Sequence, residues 1–246
     1  MRFKHTGGAA VLLFALSLLA GSGVVGHAGC VRSELTMSAL TSTAVPGVNS
    51  SMSAADDYLS SVCQQGEYQW EPDKLPVKVY ISNGAGTAGY RPVFNTFVRQ
   101  AFGKWCDASG NKLTWKEVKD PSQANVNVTW TTNVTQRSNG TEAGETNAYA
   151  RLDHASGRGI IYGARMQLLT ELPARQFSDE EMDKTILHET GHALGLQGHS
   201  PVPTDIMYYS INAQQTPELT ARDEATMQHL YADYPNNVPV IASTKK

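Results

Sequence analysis

The stretch Leu187 to Ser200 reads LHETGHALGLQGHS and holds the residue types that a catalytic metal needs. His188 and His192 stand four residues apart. On a helix that spacing projects both rings from one face, one turn apart, where they can bind a single ion. Glu189 lies beside that face, so its carboxylate can take a proton from an activated water without occupying a coordination position. Catalytic zinc also needs a third protein ligand and an open fourth position. Gly195 can adopt the left-handed conformation that ends a helix, which lets the chain turn back and offer His199. The chemistry expected of this set is hydrolysis by a zinc-activated water, with Glu189 as general base.

The elements that must position these groups can be read from the surrounding pattern. Ser178 and Glu181 form a Ser-x-x-Glu capping box, and apolar periodicity runs from there to Gly195, predicting a long helix. Ahead of it, Pro76 to Ser82, Lys112 to Val118, Asn125 to Thr131, Asn147 to Leu152 and Gly159 to Leu169 read as strands. Arg91 to Ala108 places Phe94, Phe97, Val98, Ala101, Phe102 and Trp105 at helical spacing, which marks them as core. A last helix is expected from near Thr220 to before Pro235. Strand, helix, several strands, helix, loop and helix suggest an α+β domain with a twisted mixed sheet.

The 246 residues are 41% hydrophobic and 17% charged, with a formal net charge of -3. That balance suits one globular domain with appendages and argues against nucleic acid as a partner. Arg2 and Lys4 precede the apolar run VLLFALSLLA and small residues up to Gly29, the pattern of a secretory signal, and His5 and His27 fall within it. The protein is expected to be secreted, without a stable membrane span. Ala28-Gly29-Cys30 resembles the end of a lipobox, so a lipid anchor at Cys30 on the cell envelope is the second reading, although His27 stands where that pattern wants an apolar residue. The expected organisation is signal peptide 1–29, disordered linker or short pro-segment 30–66, catalytic domain 67–237 and flexible tail 238–246. Three cysteines, Cys30, Cys63 and Cys106, leave an odd thiol. A bridge between Cys63 and Cys106 would fit an exported protein. His154 and His229 lack metal-site context and read as surface or packing residues.

At these residues the chain resembles the metzincin zinc peptidases, and within them the matrixin family and its bacterial relatives. His188, Glu189, His192 and Gly195 are in register with His-Glu-x-x-His-x-x-Gly-x-x-His, and Asp205-Ile206-Met207-Tyr208 looks like the Met-turn. PVKVYIS, AFGKW, NVNVTW, GIIYGARMQL and LTARDEATMQHLY follow the family's order from about Leu75 to Tyr234. The resemblance implies a metzincin-like catalytic domain with a long active-site helix, a Met-turn and a C-terminal helix. It implies that Met207 forms an apolar floor under a catalytic zinc. It also implies protein or peptide substrates lying extended along an edge strand, for which Asn147 to Leu152 is the candidate.

The chain departs from the family in its third histidine, because His199 falls one residue late, after Gln197 and Gly198. An extra glycine can absorb such an insertion as a bulge, which favours His199 over Asp205, the alternative oxygen donor. Tyr209 stands where astacins and serralysins place a tyrosine that stabilises the oxyanion, whereas Tyr208 matches the matrixin position. No Pro-Arg-Cys-Gly latency motif is present, and Asn139 to Gly157 lacks the His-rich structural zinc pattern. Asp153 and nearby carbonyls offer a structural calcium site. A zinc hydrolase of another clan would instead recruit Glu224, and a zinc-binding surface or structural protein without peptidase activity is the alternative to a secreted endopeptidase. A monomer is the default.

Overall fold

The computed structural model describes residues 57–64, 66–133, 143–172 and 175–234 and, as backbone only, residues 12–13, 136–137 and 140–141. The expected signal segment 1–29, Cys30 and the tail 238–246 lie outside the residues whose side chains are described.

Six strands form the main sheet: β1 (Tyr68–Trp70), β2 (Val77–Ile81), β3 (Trp115–Val118), β4 (Val126–Thr131), β5 (Gly144–Leu152) and β6 (Gly159–Leu169). The order is β1-β6-β4-β2-β3, all parallel, with β1 and β4 sharing one side of β6. β5 runs antiparallel along the other side of β6 and forms an edge, with a bulge at Tyr149/Ala150. Alternation fixes the face that packs inward. Val77, Val79, Val126, Val128, Ile161, Ala164, Met166 and Leu168 are buried beneath the helices.

Helix α2 (Val93–Ala108) turns Phe94, Val98, Phe102 and Trp105 onto that face. Against it lies α3 (Asp179–Ala193), opened by the expected Ser178/Glu181 box, with Arg175 paired to Glu181 at 2.7 Å. From Lys184 to Ala193 every residue of α3 is buried. A helix covered on all sides loses water from its terminal carbonyls, so these need other partners. Trp70 Nε1 donates to Ala193 O at 3.0 Å and the Tyr231 hydroxyl to Leu194 O at 2.8 Å, while Trp105 Nε1 adds a bond to Leu187 O, further up the helix, at 2.8 Å. Gly195 follows at φ +120, and a Cβ there would run into the Tyr68 carbonyl. The last helix, α4 (Ala221–Leu230), starts with a second reciprocal box between Thr220 and Asp223. The α+β arrangement expected from the sequence is therefore observed. Among the described residues no helix is long and apolar enough to cross a membrane.

Two expectations are corrected. Residues 57–64 are not a disordered linker but dock on α4 through a one-turn helix, α1 (Leu59–Val62), which precedes α2. Tyr58 is 2% exposed. Its hydroxyl donates to Asp223 Oδ1 at 2.5 Å and its amide to Thr226 Oγ1 at 3.0 Å. Asp57 meets His229 at 2.9 Å. Packed structure therefore reaches back to residue 57, within the segment 30–66 expected as a disordered linker or short pro-segment. Second, no disulfide joins Cys63 to Cys106: both are buried, and burial pushes the Cys106 thiol up to about 12.

Tyr58→Ala removes a fully packed ring and a hydroxyl bonded to a buried carboxylate, and is expected to cost about 3 kcal/mol or more. Urea unfolding of the variant beside the native chain measures this, and an unchanged midpoint would return residues 57–64 to the role of a linker.

Candidate metal centre

Three imidazoles converge where the end of α3 meets the loop that follows it. His188 and His192 face each other with Nε2 atoms 3.1 Å apart, and the three ligand atoms, His199 included, all lie within 4.8 Å of one another. Tetrahedral zinc with bonds of 2.0–2.1 Å would hold paired nitrogens about 3.3 Å apart, so the first pair is already at ligand spacing. His188 Nδ1 donates to Ile206 O at 2.7 Å and His192 Nδ1 to Leu196 O at 2.5 Å. Those bonds put the ring proton on Nδ1 and leave the Nε2 lone pair for the metal. His199 Nε2 is buried without a hydrogen-bond partner, an orphan that a metal would satisfy. A soft-to-borderline set of three neutral nitrogens fits zinc.

The Met-turn supplies the floor. Met207 is fully buried, and a Cβ on Gly191 would collide with its sulfur, so the side chain fills the groove that Gly191 leaves on the helix face between the two histidines. Ile206, which orients His188, belongs to the same turn. Ser200 N donates to Met207 O at 2.8 Å and ties the turn to the segment carrying His199.

Asp205 is a buried acceptor committed elsewhere. It takes hydrogen bonds from Ser200 Oγ at 2.5 Å, Thr220 Oγ1 at 3.1 Å and Arg222 Nε at 3.1 Å. His199, not Asp205, joins the cluster. Glu224 is exposed on α4 and outside it, which removes the geometry that the other hydrolase clan would require. Among the described residues this is the one group of three or more His, Cys, Asp or Glu side chains placed to hold a metal.

Gly198 serves the insertion differently from expectation. Its backbone is not left-handed; a Cβ there would lie 2.7 Å from Val62 Cα and 2.8 Å from Ser61 O. The extra residue is a glycine because the N-terminal segment passes against it. Gln197 Nε2 holds the same loop through His192 O at 2.8 Å.

Glu189 is buried next to His188, and its Oε2 accepts a 2.6 Å bond from the Thr146 hydroxyl on β5. Tyr209 is 43% exposed and its ring packs on Tyr208 with centroids 4.4 Å apart. The calcium reading at Asp153 is not supported. Its carboxylate accepts from Ser156 Oγ at 2.5 Å and from the Ala155 and Ser156 amides, which closes a local turn. Thr146, Gly191 and Asp223 went unnoticed in the sequence. The Thr220-x-x-Asp223 spacing was the signal available for Asp223.

Burial depresses all three imidazoles: His188 well below the usual range, His192 to about 3, with the charge of His199 contributing, and His199 to about 4. The unfolded value is near 6.5. A histidine lowered on folding contributes stability that is complete above the unfolded value and is lost as pH falls toward the folded one. The metal-free protein should therefore weaken between about pH 6.5 and 4, and His199→Gln should show a shallower loss. Urea midpoints across that range test this; parallel curves for the two proteins would contradict it.

The matrixin family model matches residues 69–232. No curated protein matches. Among solved structures, metalloproteinase-II from Bacteroides fragilis is 16% identical, with a TM-score of 0.36 over 67% of this chain and 55% of its own, so the chain spans about half the length of that protein. The family match begins within β1 and ends just past α4, well over half of the 246 residues, and the chain therefore belongs to the matrixin family of zinc metallopeptidases.

Proposed function

We propose that this chain is a secreted zinc-dependent endopeptidase that cuts internal peptide bonds of protein chains. The observation that carries the reading is the pairing of a three-histidine cluster with a buried carboxylate, Glu189, that is not one of its members. A structural zinc site would more often fill the fourth position with Cys or His. Among the described residues no fourth such side chain joins the cluster.

His188, His192 and His199 would hold the ion. Zinc, when bound, supplies a Lewis acid that acidifies water and polarises a carbonyl. Glu189 takes the proton from the attacking water and passes it to the leaving amine, one group serving as base and then as acid. Substrate pairs as an added strand along the outer edge of β5, whose backbone groups face no further strand among the described residues. The part of β5 beside the base is its start, since Gly144 and Thr146 touch Glu189. Leu152, eight residues on, lies roughly 26 Å away along a strand. The pairing stretch we favour is therefore the start of β5, residues 144–147, ahead of the Asn147 to Leu152 expected from resemblance. Secretion rests on Arg2, Lys4 and the apolar run before Gly29, and the soluble monomer is the form proposed over lipid anchoring at Cys30.

Cleavage of an unfolded protein by the purified native chain, beside Glu189→Ala, tests the mechanism. The variant should keep its zinc and lose about 10³-fold or more in kcat. If both proteins bind zinc and neither cuts, the chain is a zinc-binding surface or structural protein.

A further inference from the structure

Thr146 is fully buried on β5, with its hydroxyl in reach of two acceptors on one residue: Glu189 Oε2 at 2.6 Å and the Glu189 carbonyl at 3.2 Å. A hydroxyl has one hydrogen to give. A strand threonine that merely needed a partner could take the backbone carbonyl, yet the shorter contact goes to the carboxylate, at the length of a charge-assisted bond. Two residues earlier on the same face of β5, Gly144 presents bare backbone to the same side chain. A Cβ there would lie 2.6 Å from Glu189 Cγ and 2.9 Å from Cδ and Oε1. Glu189 is thus walled along its methylenes by Gly144 and held at its head by Thr146.

From this geometry we infer that Thr146 is a positioning residue for the carboxylate of Glu189, acting through its hydroxyl. The inference rests on the peptidase reading for its catalytic consequence. Glutamate has three rotatable bonds, and a general base must sit within hydrogen-bond reach of the proton it takes. The Thr146 bond fixes the last of those torsions while Gly144 restricts the ones before it. Because the same strand is the one assigned to substrate, a shift of β5 moves the base and the bound chain together. The protein thereby couples seating of substrate to placement of the carboxylate through one element.

The test uses the full zinc-loaded protein with Thr146→Val, which keeps shape and removes the hydroxyl, and Thr146→Ser, which restores it. Zinc content, kcat and KM are measured on one peptide, beside urea midpoints for Thr146→Val, Glu189→Ala and the double variant. Thr146→Val should retain zinc, keep KM within about twofold and lower kcat about 10- to 100-fold, the scale of a misplaced reacting group. Thr146→Ser should recover kcat to within about threefold of native. The midpoint shifts of the two single variants should fail to add in the double. An unchanged kcat in Thr146→Val, equal losses in Val and Ser, or additive midpoints would overturn the inference. A native protein that cuts nothing would instead overturn the peptidase reading, and the midpoint cycle alone would then support or overturn the Thr146 bond.

Discussion

The centre depends on two hydrogen bonds that face away from the metal position, from His188 Nδ1 to Ile206 O and from His192 Nδ1 to Leu196 O. A buried imidazole whose second nitrogen lacks a partner is costly and free to flip. With Nδ1 committed to a carbonyl, each ring has one tautomer and one orientation, and its Nε2 faces the other two histidines. The acceptors come from the loop after α3 and from the Met-turn, so the metal position requires that both be held against the helix.

Much of the surrounding polar structure serves that requirement. Asp205 gathers Ser200, Thr220 and Arg222, while Asp223 accepts from the Ile206 amide at 3.1 Å and from Tyr58. Together they fasten the turn bearing Ile206 and Met207 to α4 and to the N-terminal segment. Buried carboxylates are expensive unless fully bonded, and these two are surrounded by donors. At the C-terminal end of α3, the Trp70 and Tyr231 donors occupy carbonyls that would otherwise be stranded. Burial thus does two things: it fixes ring geometry and keeps the histidines neutral, the state a metal needs.

Local patterns were legible in the sequence and distant contacts were not. His188, Glu189 and His192 could be assigned because helical spacing alone places them. β2, β4 and β6 could be assigned because alternating apolar residues report which face is buried. His199 needed the additional cue of Gly195, which does adopt the left-handed conformation. Residues 57–64 were missed because Tyr58, Leu59 and Val62 have no periodicity and gain burial from distant elements, α4 and the loop bearing Gly198. Thr146 looked like an ordinary strand threonine, since its partner lies 43 residues on. Gly198 was read as conformational freedom, but its value is the missing side chain against which Ser61 and Val62 pack.

X-ray absorption at the zinc edge of the loaded protein addresses the centre most directly. The account predicts three imidazole nitrogens at about 2.0–2.1 Å and one further light atom, with one imidazole lost in His199→Ala. Two imidazoles with a carboxylate oxygen in the native protein, unchanged by that substitution, would contradict it and return Asp205 or Glu224 as the third ligand.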